Sequence, residues 1–304
     1  MKHEQPSNLG DYEVHKAWEG FASIRQISSG EIMHSRTAPM EEARQLYVEQ
    51  SHLSERLRAS SDDESPLVIW DVGLGAAANA MAAIECYEDV AAARPIRIVS
   101  FENDLDSLRL ALRHQEDFPY LREGAVQALL ADGHWRSQNH AGLSWLLLPG
   151  DFLEAMTRAP TPNLIFYDMF STKTSAQLWT AATFQRVFES CTGRAAELFT
   201  YTCSTANRAA LLAAGFFVAR GRNAGEKLET TIALTPAAFQ RASAKQRELL
   251  GRDWLAKWER SAAKFPGDIS PNERAAFEKI IRDHEQFRNS VAAERLPSTA
   301  MISD

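Results

Sequence analysis

The 304-residue sequence has only three cysteines, Cys86, Cys191 and Cys203, and none stands in a CxxC or other metal-ligand spacing. An odd number of scattered thiols excludes a disulfide framework and argues against a zinc centre, so no metal is expected. Equally absent is any run of about 20 apolar residues that could span a bilayer. The opening Met1-Lys-His-Glu-Gln-Pro6 lacks the apolar stretch of a secretory signal, so the chain is expected to be cytoplasmic. Positive charge is in deficit: 33 Lys and Arg stand against 40 Asp and Glu, a net charge of −7. That balance counts against a nucleic-acid partner, because phosphate is normally met by a basic surface. The deficit is uneven, with 7 basic and 12 acidic residues in 1–66, 14 and 18 in 67–235, and 12 and 10 in 236–304.

What is present is material for a core, since 45% of the residues are hydrophobic. Three segments are expected. Residues 1–66 form an entry segment with a helix over 39–58, whose apolar stripe includes Leu46, Tyr47, Leu53 and Leu57. Residues 67–235 alternate short apolar runs (67–71, 96–101, 143–148, 163–167, 195–201, 216–219 and 230–234) with helical stretches, which predicts an α/β fold with a mainly parallel, doubly wound, Rossmann-like sheet. From about Pro236 only helical spacing is evident, in Trp254, Leu255 and Trp258 and again in Phe277, Ile280, Ile281 and Phe287, so 236–304 reads as a helical C-terminal appendage with those aromatics in core or docking positions.

In such sheets ligands sit at the carboxyl ends of the strands, near the point where strand order reverses. The first strand runs into Asp71-Val-Gly73-Leu-Gly75-Ala-Ala-Ala-Asn79, where glycines allow a sharp turn and close approach of backbone to ligand. The same spacing fits a dinucleotide site or a plain structural turn. Glu102, ending the next strand, could accept both hydroxyls of a ribose, and Gly150-Asp151 beyond the third suits a carboxylate reading an adenine amino group, although Asp151 is equally suited to cap a helix. Asp168 ends the fourth. Acids at four successive strand ends favour S-adenosyl-L-methionine over NAD, with Asp71, Gly73, Gly75, Asn79, Glu102, Gly150 and Asp151 as the cofactor-binding candidates.

The fourth strand leads into Asp168-Met-Phe170-Ser-Thr-Lys173-Thr-Ser-Ala-Gln-Leu-Trp179. This stretch resembles a motif of the methyltransferase domain of MnmC-type enzymes and their stand-alone relatives, close to Asp-x-Phe-Ser/Ala-Pro-Lys-x-Asn-Pro-x-x-Trp. Further matches lie at Ser29–Ser35, Glu42–Arg44 and Tyr47, along Asp71–Asn79, at Thr200–Thr202, Thr205–Arg208 and Ala210–Phe216, and at Gly221, Gly225 and Lys227–Thr231, so the resemblance covers roughly residues 25–235. It departs where Thr172 and Ala176 replace the two prolines and Ser175 the asparagine, which removes fixed φ angles from the loop.

The resemblance implies methylation of the aminomethyl nitrogen of 5-aminomethyl-2-thiouridine at the wobble position of tRNA. The flavin oxidoreductase half of the bifunctional enzymes has no counterpart here, since no second glycine-rich fingerprint follows, and a separate FAD oxidoreductase is expected to act upstream. Asp168 is the catalytic candidate, holding the amine in line with the methyl group. An ordinary carboxylate is too weak a base for an alkylammonium, so orientation is its expected task unless burial raises its pKa. Phe170, Lys173, Arg208 and Lys227 are the substrate-binding candidates, the three cations for phosphate, and His34 is a further candidate for the pocket wall. Other readings are a methyltransferase of this fold acting on a small amine, which the acidic charge and altered loop favour, a non-catalytic cofactor-binding module, and an NAD-dependent dehydrogenase.

Overall fold

The computed structural model describes residues 6–34, 37–58, 65–191, 193–222, 229–241 and 247–288. An antiparallel three-stranded meander comes first: β1 (Asn8–Leu9), β2 (Tyr12–Lys16) and β3 (Ala22–Gln26). The main sheet then takes β4 (Leu67–Val72), β5 (Ile96–Glu102), β6 (His134–Arg136), β7 (Leu143–Pro149), β8 (Leu164–Tyr167), β9 (Glu197–Thr200), β10 (Phe217–Gly221), β11 (Thr230–Leu234) and β12 (Glu248–Leu249). Its spatial order is β12-β10-β11-β9-β8-β4-β5-β7-β6. The five central strands, β9 to β7, are mutually parallel, and the edges are antiparallel.

The centre of the sheet follows from its apolar runs. Every residue of β4 is buried. Leu67 and Ile69 enter one core with Ile96 and Ile98, while Val68, Trp70 and Val72 enter the other with Val99 and Phe101, so the pleat distributes one strand between two helix-covered faces. Each fully buried large aliphatic side chain contributes about 1.5–3 kcal/mol, which fixes the register of this strand. The chain passes from β4 to β5 on one side and returns to β8 on the other, so strand order reverses between β4 and β8. The crevice at their carboxyl ends is the ligand position of this architecture.

Both flanking segments are tied into the sheet. In the entry segment the expected continuous helix is broken into Pro39–Ala43, a π-helical stretch Arg44–Glu49 and, after His52 at φ +52°, Leu53–Arg58. The C-terminal segment is helical as its spacing indicates, with Arg252–Arg260, Arg274–Arg282 and Glu285–Arg288 burying Trp254, Trp258, Phe277, Ile281 and Phe287 in the second core. It also adds β12, a strand too short to show a period, which pairs antiparallel with β10. Gln286 stitches this segment down by accepting from Val218 N–H at 2.7 Å and donating to the carbonyls of Val218 and Leu250, each at 2.8 Å. Buried Glu197 at the start of β9 meets Arg56 from the entry segment and Arg247 from the C-terminal segment. No helix among the described residues is long and apolar enough to cross a membrane.

Candidate active site

A cavity of about 690 Å³ lies at the carboxyl ends of β4, β5 and β8, a size suited to a nucleoside-sized ligand. Its floor is the glycine loop. Gly73 takes φ +90°, and a Cβ there would stand 2.6 Å from the carbonyl oxygen of Asp168, so the turn out of β4 and the end of β8 touch through bare backbone. Gly75, at φ +51°, donates its N–H to Glu102 Oε2 at 3.0 Å and faces Met33 of the entry segment. Glu102 also accepts from Asn103 N–H and Asp104 N–H through Oε1 at 2.9 and 3.2 Å. Burial pushes its carboxyl up, and those backbone bonds oppose the shift. The carboxylate at the end of β5 is thus held by the loop it faces.

Asp168 stands across the floor from Glu102 and lines the cavity. Asn79, buried on the helix Ala78–Glu88, donates from Nδ2 to Asp168 Oδ2 at 2.9 Å. Burial raises the Asp168 pKa first of all, the positive charge of His34 and the Asn79 bond lower it, and the Glu42 charge raises it further. Fully buried Tyr47 completes the surround, its phenol pushed well above its ordinary range by burial and then by the Asp168 charge. His34 lines the cavity with its Nδ1 3.0 Å from Glu42 Oε2. The motif loop closes one side: Tyr201 donates its hydroxyl to the Met169 carbonyl at 3.0 Å, Trp179 Nε1 donates to the Phe170 carbonyl at 2.7 Å, and Phe170 itself lines the cavity.

Gly73, Gly75, Asn79, Glu102, Asp168 and Phe170 are therefore brought together, and several other candidates are not. Asp71 is fully buried beneath the loop and does not line the cavity; its Oδ2 accepts from Ser100 Oγ at 2.7 Å, and Trp145 Nε1 donates to the same Oγ at 2.8 Å. Gly150 and Asp151 also lie outside the lining. Gly150 donates its N–H to the Glu102 carbonyl at 2.9 Å, and Asp151 caps the helix Phe152–Ala155, accepting from Leu153 N–H and Glu154 N–H. Lys173 is exposed and outside the lining. Arg208 cannot meet phosphate: its side chain is 3% exposed, donates to Thr231 Oγ1 and the Thr230 carbonyl at 2.9 and 2.8 Å, and pairs with Glu229 at 3.1 Å, tying its helix to β11. Lys227 and Gly225 lie outside the described residues. Glu31 and Glu42, which the sequence assigned no role, line the cavity from the entry segment, and Tyr47 from the same segment stands buried behind Asp168.

The position of Asp71 sets a pH dependence. Burial raises its pKa to about 7, with the Asp168 and Glu102 charges adding and the Ser100 bond opposing. The unfolded side chain titrates near 4, so between about pH 4 and 7 the folded protein holds a proton that the unfolded chain releases. Asp71 costs nothing while protonated at low pH, and its destabilisation grows as pH rises and levels off above about 7. Asp71→Asn keeps an acceptor for Ser100 without the charge, so thermal melts should show a larger gain in Tm at pH 8 than at pH 5. An equal gain at both would mean that the acid is not held protonated.

Residues 132–236 match the family described as S-adenosyl-L-methionine-dependent methyltransferase. The chain is 29% identical over 208 residues to the tRNA 5-methylaminomethyl-2-thiouridine biosynthesis bifunctional protein MnmC of Stutzerimonas stutzeri (strain A1501), covering 66% of this chain and 31% of that protein. It is 27% identical over 220 residues to the protein of the same name from Pseudomonas aeruginosa (strain UCBPP-PA14), covering 70% and 33%. The chain thus spans about a third of the length of the curated relatives it matches. Among solved structures, MnmC2 from Aquifex aeolicus has the same fold, with a TM-score of 0.64 at 20% identity over 91% of this chain and 85% of that one. The family match thus takes in β6 to β11, the glycine loop and Glu102 face the same cavity from the strands before it, and the chain is similar in fold and in sequence to S-adenosyl-L-methionine-dependent methyltransferases and to about a third of the length of the MnmC proteins.

Proposed function

We propose that the chain methylates the aminomethyl nitrogen of 5-aminomethyl-2-thiouridine at the wobble position of tRNA. The observation that carries the reading is the coincidence of the Asp168–Trp179 motif with the strand-order reversal, beside a cavity whose other wall is the glycine loop. The residues present fit S-adenosylmethionine: Gly73 and Gly75, both in the cavity wall, let the turn out of β4 pack closely against the end of β8 and Met33, and Glu102 in the same wall offers a carboxylate that would accept from a ribose. When bound, the cofactor supplies an electrophilic methyl group on a sulfonium sulfur. Asp168 holds the amine of the acceptor and would balance the positive charge that grows on nitrogen as the N–C bond forms and the methyl–sulfur bond breaks, its electron pair staying on sulfur as a neutral thioether. Because burial raises its pKa, it is also a better proton acceptor than an exposed aspartate, and the aminomethyl proton leaves through it or through water. Phe170 on the same loop offers an aromatic face to the base. A cytoplasmic location, and an upstream flavin-dependent oxidoreductase step that generates the aminomethyl group, belong to the same reading.

A small free amine as acceptor is the second reading, favoured by the charge of −7 and by cations engaged within the protein, such as Arg208 with Glu229 and Arg122 with Glu88. One experiment separates the two. The purified protein with labelled S-adenosylmethionine should transfer label to tRNA from cells lacking this gene, and nucleoside mass spectrometry should show 5-aminomethyl-2-thiouridine consumed. Transfer to free amines with none to such tRNA would overturn the assignment.

A further inference from the structure

We propose that Glu31 is a positioning residue that fixes the substrate loop after β8, doing with a carboxylate what rigid φ angles would otherwise do. The inference rests on the methyltransferase reading of the loop.

The loop from Asp168 to Trp179 carries no proline, so its backbone has no built-in restriction. Its conformation has to come from contacts. Three of its polar groups converge on a single side chain from another part of the molecule: Glu31 Oε1 accepts from Ser171 N–H at 2.7 Å, and Oε2 accepts from Ser171 Oγ at 2.9 Å and Thr174 Oγ1 at 2.6 Å. Hydrogen bonds to an ionised acceptor are roughly twice as strong as neutral ones, so three on one carboxylate make a firm clamp. Glu31 is itself held. Its carbonyl accepts from Gln26 N–H at 2.9 Å, its N–H is 3.2 Å from Ser29 Oγ, and Ile32 bridges back to Arg25 of β3. The clamp therefore joins the turn after β3 to the loop after β8, 140 residues apart in sequence.

The position of the clamp explains what it does. Glu31, Ser171 and Thr174 all line the cavity, and Met33, two residues beyond Glu31, faces Gly75 on the cofactor side. The segment that closes the cofactor side thus also sets the loop that carries Phe170 and follows Asp168. A displacement of about 1 Å in such a loop can cost on the order of 100-fold in rate without any direct contact to the reacting atoms. The other end of the loop is held separately: Asp268, in the C-terminal segment, accepts from Ala181 N–H and Ala182 N–H at 3.1 and 3.0 Å where the next helix begins. Removing Glu31 should therefore loosen the middle of the loop and leave its end in place.

The test uses the full chain. Glu31→Ala should lower kcat on the order of 10- to 100-fold, with S-adenosylmethionine affinity by calorimetry and Tm near wild type, and Glu31→Gln should recover part of the loss. In a cycle with Ser171→Ala/Thr174→Val, the combined variant should lose no more than the worse of its parents, because both changes remove the same contact. Hydrogen exchange followed by mass spectrometry should show protection falling at residues 170–175 and unchanged at 181–186. This last readout needs no acceptor: if the wild type fails to methylate tRNA, the acceptor assignment falls while exchange still decides whether Glu31 holds the loop. Unchanged protection at 170–175 in Glu31→Ala, or additive losses in the cycle, would overturn the proposal.

Discussion

Asp168→Asn is expected to lower the rate of methyl transfer on the order of 100-fold or more while leaving S-adenosylmethionine binding nearly unchanged. The substitution is close to isosteric, and the asparagine carbonyl can keep the 2.9 Å contact that Asn79 makes from Nδ2. What disappears is the negative charge opposite the developing ammonium and the capacity to take a proton. Single-turnover rates on tRNA bearing the aminomethyl nucleoside, set beside calorimetric titration with the cofactor, measure the two quantities independently. A variant with wild-type turnover would make Asp168 a structural carboxylate. One that loses cofactor affinity would move it to the cofactor's side of the cavity, and the amine would then need another acceptor.

Gly73→Val should abolish measurable cofactor binding and lower Tm. At φ +90° a β-branched residue is strained whatever surrounds it, and here its Cβ would meet the Asp168 carbonyl oxygen at 2.6 Å and Met169 Sδ at 3.1 Å. Neither the carbonyl nor the strand end that carries it can yield cheaply, so the substitution must part the ends of β4 and β8 and distort both walls of the cavity together. Gly73→Ala should show the same effects more weakly, since it has the clash without the second branch. Wild-type affinity in the valine variant would show that the loop opens freely.

The sheet was legible in the sequence because its central strands are buried on both faces and so read as unbroken apolar runs. β12 was not, because two residues carry no period and Glu248–Leu249 is a strand only by pairing with β10. At the site, each acid next to a strand end looks alike in sequence and not in space. Asp71, still inside β4, is turned under the loop onto Ser100, whereas Asp168, one residue past the end of β8, reaches the cavity. Arg208 reads as a phosphate contact because a cation on a helix is usually exposed, and nothing local announces that Thr231 and Glu229 enclose it. Even the reason for Gly73 differs from what its motif suggests, since the space it keeps clear at closest range is occupied by the protein's own Asp168 carbonyl and not by ligand. Glu31 stood inside the Ser29–Ser35 resemblance with no role attached, its partners being supplied by topology across 140 residues.

The convergence of Arg56 and Arg247 on Glu197, together with the closure of the second core by Phe287, sets a limit on vectorial synthesis. A nascent chain ending at β11 already contains the whole parallel sheet, yet Glu197 has only one of its two guanidinium partners and the core around Val218 still lacks Trp254, Trp258 and Phe287. The cavity is built by residues that precede the C-terminal segment, but the ribosome has to deliver the chain through Phe287 before the fold that encloses the cavity can become stable.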